Sequence, residues 1–128
     1  MISCAADMGT GCDTILAQMV AECMDCDVDE VAVFGADTDA SPYDSGSYAS
    51  STTYITGMAV EKACENLKKR ICEIAGDMFK CEPEEILFVD DSKRNVDAAA
   101  ALGFHTLYFP QDGNLRAAVE AALEECNR

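Results

Sequence analysis

Ile86-Leu-Phe-Val89 is a continuous apolar run ending in two aspartates, and no other stretch constrains the fold as much. A strand that is apolar at every position reads as buried on both faces, as in a parallel sheet. Parallel strands need a crossover, usually a helix. The chain supplies one: residues 95–102 are alanine-rich, Gly103 stops them, and His105-Thr-Leu-Tyr-Phe109 reads as the next strand. The same alternation holds upstream. Ile15, Leu16, Met19, Val20 and Cys23 share one helical face, which predicts a helix over 14–24 that Asp13 or Thr10 would cap. Val31-Ala-Val-Phe34 predicts a short strand, followed by a polar loop over 35–51 containing Pro42 and Gly46. Met58, Ala59, Ala63, Leu67, Ile71, Ile74 and Met78 then mark a long amphipathic helix, and residues 115–126 a closing one. Residues 2–6 read as the end of a strand whose partners lie outside the chain. The class is α/β, with alternating strands and helices in a chain of one-domain size.

The formal net charge of −15 argues against nucleic acid or an anionic membrane as a partner, because both repel an acidic surface. No apolar run is long enough to span a bilayer, and Met1-Ile-Ser-Cys4 lacks the charged start and apolar core of a signal peptide. A cytoplasmic location follows as the expectation. The eight cysteines are then read as free thiols in a reducing compartment. Cys23-Met-Asp-Cys26 stands without the second ligand pair that a zinc site needs. Cys64 and Cys72 sit at helical spacing, as small buried apolar residues do.

Two hydroxyl-rich loops carry the functional signal. Asp7-Met-Gly-Thr-Gly-Cys-Asp-Thr14 lies between a strand and a helix, where unpaired amides and the helix dipole favour an anion. Ser45, Ser47, Ser50, Ser51, Thr52 and Thr53 precede the long helix. Hydroxyls and free amides there suit a pyrophosphate or a fused heterocycle. The same residues also serve to cap a helix and close a turn.

These loops, with Ala36-Asp-Thr-Asp-Ala-Ser-Pro-Tyr-Asp44 and Gly57-Met-Ala59 between and after them, resemble the second molybdopterin-binding domain of the xanthine dehydrogenase and aldehyde oxidase family. The likeness covers roughly residues 1–85. It implies molybdopterin as cofactor, with the Gly9-Thr10 loop approaching the molybdenum site, Gly11 among the cofactor contacts, and Ala49, Ser50, Ser51, Thr52 and Thr53 holding pterin and phosphate. Many members carry glutamine where Thr10 stands. The family inserts water-derived oxygen at an electron-poor carbon, using a glutamate base in a Gly-x-Gly-Glu motif that this sequence lacks. The resemblance therefore implies a cofactor-binding fragment with no catalytic residue of its own, partnered by other subunits of a molybdenum hydroxylase.

Residues 86–109 resemble a different family, the haloacid-dehalogenase-like phosphohydrolases. That likeness implies Asp90 and Asp91 as Mg²⁺ ligands at a strand's C-terminal end. Asp37-Thr-Asp39 follows a predicted strand and imitates that family's nucleophile pair. The expected organisation is a partial molybdopterin-binding domain over 1–85 joined near Cys81-Glu-Pro-Glu-Glu-Ile86 to a partial phosphohydrolase segment over 86–128, with a sheet incomplete relative to either parent. The alternatives are a Mg²⁺-dependent phosphohydrolase or a non-enzymatic orphan fragment.

Overall fold

The computed structural model describes residues 1–110 and 113–126. Contacts divide the chain into two units, Met1–Leu67 and Lys68–Arg128, so the division falls inside the long helix. Both units are mixed helix and strand, as the alternating pattern predicts.

In the first unit, β1 (Ile2–Ser3) pairs in parallel with β2 (Phe34–Gly35), Ile2 opposite Phe34. The crossover is α1 (Cys12–Met24), which starts two residues ahead of the expected helix and buries Cys12, Leu16, Ala17 and Ala21. Leu16 is fully buried and joins Ala5, Cys12, Val60 and Cys64 in the core, with Met1, Met19 and Val20 among the residues packed around them. The predicted strand over 31–34 is shorter and shifted. Val28–Glu30 forms a 3-10 turn closed by reciprocal side-chain bonds of Asp27 and Glu30. The Val31 amide donates back to the Val28 carbonyl at 3.1 Å, which withdraws it from the ladder, and pairing starts at Phe34. β1 likewise ends at Ser3, where the Ala5 amide turns to the Ser3 hydroxyl at 3.1 Å.

The stretch expected as a loop before the long helix is already partly helical. Ala49 and Ser50 are both left-handed, with φ of 52° and 58°. Ser51 then enters the helix, and Thr52–Thr56 forms one wide π-type turn leading into α2 (Gly57–Phe79). Gly57 is buried against α1: a Cβ there would stand 2.8 Å from the Met19 sulfur.

In the second unit, β3 (Leu87–Asp90) pairs in parallel with β4 (His105–Tyr108), Leu87 opposite His105 and Asp90 opposite Tyr108. α3 (Lys93–Ala101) is the crossover and buries Val96 and Ala99; Gly103, at φ 93°, follows its end. α4 (Leu115–Cys126) closes the unit. The apolar run over 86–89 is half-buried, not enclosed. Among the described residues, a ladder of two strands gives it neighbours on one edge only. The cysteines are free thiols, with Cys12 and Cys64 buried and Cys72 half-buried, its Sγ donating to the Leu102 carbonyl at 3.3 Å. Among the described residues no helix is long and apolar enough to cross a membrane.

Candidate functional site

The first loop is organised by its own acid. The Asp7 Oδ1 accepts the amides of Gly9, Thr10 and Gly11 at 2.8, 2.9 and 3.1 Å, and Oδ2 accepts the amide of Asp13 at 3.5 Å. These amides, the Gly9 bond foremost, hold the Asp7 carboxyl below the ordinary carboxylate range against an opposing effect of desolvation. Neither Asp13 nor Thr10 caps α1. Its N-cap is Gly11, left-handed at φ 72° and without a side-chain cap bond. Asp7 performs that service from four to six residues upstream, beyond the usual reach of an N-cap.

Asp7, Cys12 and Asp13 are the one trio of metal-capable side chains among the described residues, their ligand atoms within 4.8 Å of one another. Burial pushes the Cys12 thiol up, the nearby Asp7 and Asp13 charges add to it, and a bond from the Thr10 side chain opposes it. The chemistry of this trio fits a hydrogen-bonded helix start.

The second loop faces different surroundings. Ser50 and Thr53 line an open groove of about 730 Å³ with Tyr54, Gly57, Met58 and Glu61 on one side and Ile15, Gln18, Met19, Glu22 and Cys23 of α1 on the other. That volume is within the range of small-molecule sites, and its walls are mainly apolar with a few polar groups, as such sites are. Gly9, Thr10 and Gly11 do not line it, nor do Ala49, Ser51 and Thr52. The structure thus brings two of the residues expected at the cofactor together and places the first loop outside this groove. Gln18 and Glu22 escaped the sequence reading. Their signal was present: they lie one turn apart on α1, beside the apolar stripe that contains Met19.

Successive left-handed residues are uncommon outside glycine, and each costs about 1–2 kcal/mol. Ala49 and Ser50 hold that conformation where the chain enters the helix. The Ser51 amide donates to the Tyr48 carbonyl at 2.9 Å, closing the turn from within.

In the second unit, Asp90 ends β3. Its Oδ1 accepts the Ser92 amide at 2.7 Å and the Asn95 side-chain amide at 3.2 Å. Asp91 follows it and is exposed. In the first unit, Asp37 and Asp39 lie in one turn: the Asp39 amide donates to Asp37 Oδ1 at 2.8 Å, and the Ser41 hydroxyl donates to the Asp37 carbonyl. Among the described residues, neither pair has a third metal-capable side chain beside it.

A family model described as a molybdopterin cofactor-binding domain matches residues 1–123. The chain belongs to that family. Its relatives include a nicotinate dehydrogenase subunit of Pseudomonas putida, 30% identical over 92% of this chain and 10% of that protein. The probable hypoxanthine oxidase XdhD of Escherichia coli is 44% identical over 52% of this chain and 7% of its own length. The putative xanthine dehydrogenase molybdenum-binding subunit XdhA of the same organism is 39% identical over 59% and 10%. The chain therefore spans a tenth or less of the length of these relatives. The family match runs through the seam read near residue 85 and extends over the first compact unit and most of the second. No solved structure matches the chain with significance.

Proposed function

We propose that this chain binds molybdopterin as one wall of a xanthine dehydrogenase-type oxidoreductase, with Ser50 and Thr53 as its principal contacts. The observation that carries the reading is the groove they line, mainly apolar with a few polar groups. Met19 and Met58 offer an adaptable apolar surface against which a fused heterocycle packs. Gln18, Glu22 and Glu61 offer acceptors for ring N–H donors, and the Ser50 and Thr53 hydroxyls donate to an oxygen-rich group. When bound, the cofactor supplies the redox and oxygen-transfer chemistry, while the protein contributes binding and orientation.

The names of the relatives, a dehydrogenase subunit and a molybdenum-binding subunit, support a setting among other subunits. The chain contains no Gly-x-Gly-Glu motif, so turnover by the isolated chain is not expected. The test is purification from a host that makes molybdopterin, followed by fluorescence assay of released pterin. Pterin should accompany the wild type and be lost in Ser50→Trp. Pterin at background in the wild type would reduce the reading to ancestry.

A second reading concerns Mg²⁺. It is favoured by the place of Asp90, at the C-terminal end of a parallel strand, where ligand crevices of α/β proteins lie. Mg²⁺ is commonly held by only one or two carboxylates together with substrate phosphate. Mg²⁺-dependent hydrolysis of p-nitrophenyl phosphate that disappears in Asp90→Asn would establish it; no hydrolysis above buffer would end it.

A further inference from the structure

We infer that the C-terminal half of α2 is a self-docking surface: two copies of this chain pair antiparallel along it, Ile71 against Ile74, with Arg70 of each copy beside Asp77 of the other. Along α2, Val60, Cys64, Leu67, Ile71, Ile74 and Met78 recur at alternating intervals of four and three, the spacing of the two seam positions of a coiled coil. Val60 and Cys64 are buried in the core of the first unit. Further along the same row is uncovered: Ile74 is 43% and Met78 72% exposed, with Ile71 half-buried. Cys72, on a different face, is the residue that turns to its own unit, its Sγ bonded to the Leu102 carbonyl. An apolar row held at seam spacing and left in solvent marks an association surface.

The charges beside the row identify what covers it. Arg70 and Asp77 are both exposed, lie one heptad apart and flank the row on the same side. When two such helices run antiparallel with Ile71 opposite Ile74, these flanks meet, so Arg70 comes beside the partner's Asp77. The two-fold axis repeats the contact. The other flank brings Lys68 to the partner's Ala75, with no clash of like charges. A parallel pairing in register would set Arg70 against Ala75 and gain no ion pair. The row is thus complementary to itself in one orientation. The bond of Arg70 to Glu73 at 3.1 Å joins two exposed side chains and is weak enough to be shared. The net charge of −15 on each copy repels at long range, so the pair should be reversible.

Analytical ultracentrifugation of the full chain tests this without the cofactor, so its outcome is separate from that of the pterin assay. The wild type should show monomer and dimer in exchange as concentration rises. Ile74→Glu, at an exposed position, should keep the far-UV circular dichroism of the wild type and lose the dimer. Arg70→Asp and Asp77→Arg should each weaken dimerisation roughly two- to tenfold. The double variant carrying both should restore it. The two positions stand about 10 Å apart along one helix, so that recovery cannot arise within a single chain. Should Ile74→Glu disturb the fold, the charge exchange decides alone. A wild type that stays monomeric at its highest soluble concentration would overturn the inference and assign the face to another partner. A dimer indifferent to Ile74→Glu, or an exchange that restores nothing, would overturn it as well.

Discussion

Gly76 and Cys81 close the C-terminal end of α2 upon each other. The Cys81 amide donates to the Gly76 carbonyl at 3.3 Å, and a Cβ added at Gly76 would stand 2.9 Å from the Cys81 carbonyl oxygen. Replacing a mid-helix glycine by alanine ordinarily stabilises by about 1 kcal/mol. Here the obstacle is backbone, which cannot swing aside, and the sign should reverse. Gly76→Ala is expected to lose about 1–3 kcal/mol, the usual range for overpacking. Urea denaturation midpoints would measure it, and an unchanged or raised midpoint would count against the close approach.

Gly57→Ala should behave in the opposite way. The added Cβ would meet Met19 Sδ at 2.8 Å and Cε at 3.0 Å, the far end of an unbranched side chain. A thioether can change rotamer at small cost. The helix-propensity gain, up to about 1 kcal/mol, should then survive in part. Val at the same position, with no room for its branches, should be clearly destabilising. Comparing the two variants by thermal melts separates a yielding neighbour from a fixed one. A large loss in Gly57→Ala would mean that Met19 is pinned.

Asp7 contributes to the behaviour in acid. Its folded-state pKa is depressed, chiefly by the Gly9 amide bond. Its contribution is therefore complete above the unfolded carboxylate value of about 3.9 and lost as pH falls through the lower folded value. Asp7→Asn should be less stable than wild type near neutrality, and the gap should narrow as pH falls through that window. A gap constant with pH would show that the charge contributes nothing.

Cys12 acts at the alkaline side. Burial raises its folded-state pKa. Below the unfolded thiol value of about 8.5 the neutral thiol costs nothing, and stability falls as pH rises from there toward the raised folded value. Cys12→Ala should be less stable at neutral pH, because it shrinks a buried side chain, yet lose less on going alkaline. Thiol-reagent kinetics give an independent check: exposed Cys126 should react well before Cys12. Equal rates would contradict the burial.

The helices were the legible part of the sequence, because an apolar stripe is a local signal. Ile15, Leu16, Met19, Val20 and Cys23 announce α1, and Ala99 with Gly103 announces the body and end of α3. Strand limits were less visible. Val31 and Val33 look like sheet residues, but the Asp27 and Glu30 side chains draw the backbone into a turn first, and hydrophobicity does not record that. Thr52 to Thr56 are rich in β-branched residues that disfavour helix, yet they form its wide first turn, where tertiary packing of Gly57 on Met19 prevails. At the site, the hydroxyls of Ser50 and Thr53 were readable as polar candidates. The role of Asp7 was not, because its bonds reach up to six residues forward, past the usual capping interval.

The two parallel pairs have a consequence for the order in which the chain acquires structure. Joining Leu87 to His105 closes a shorter stretch than joining Ile2 to Phe34, so its closure entropy is smaller by roughly 0.5 kcal/mol. The strands so joined are also four residues long where β1 has two. The later-synthesised half is thus expected to nucleate first on refolding, and pulsed hydrogen exchange should find the His105 and Phe109 amides, which donate to the Ile86 and Asp90 carbonyls, protected ahead of Phe34. During synthesis the ribosome delivers the slower half first, so β1 and β2 begin their longer search before the faster pair has emerged.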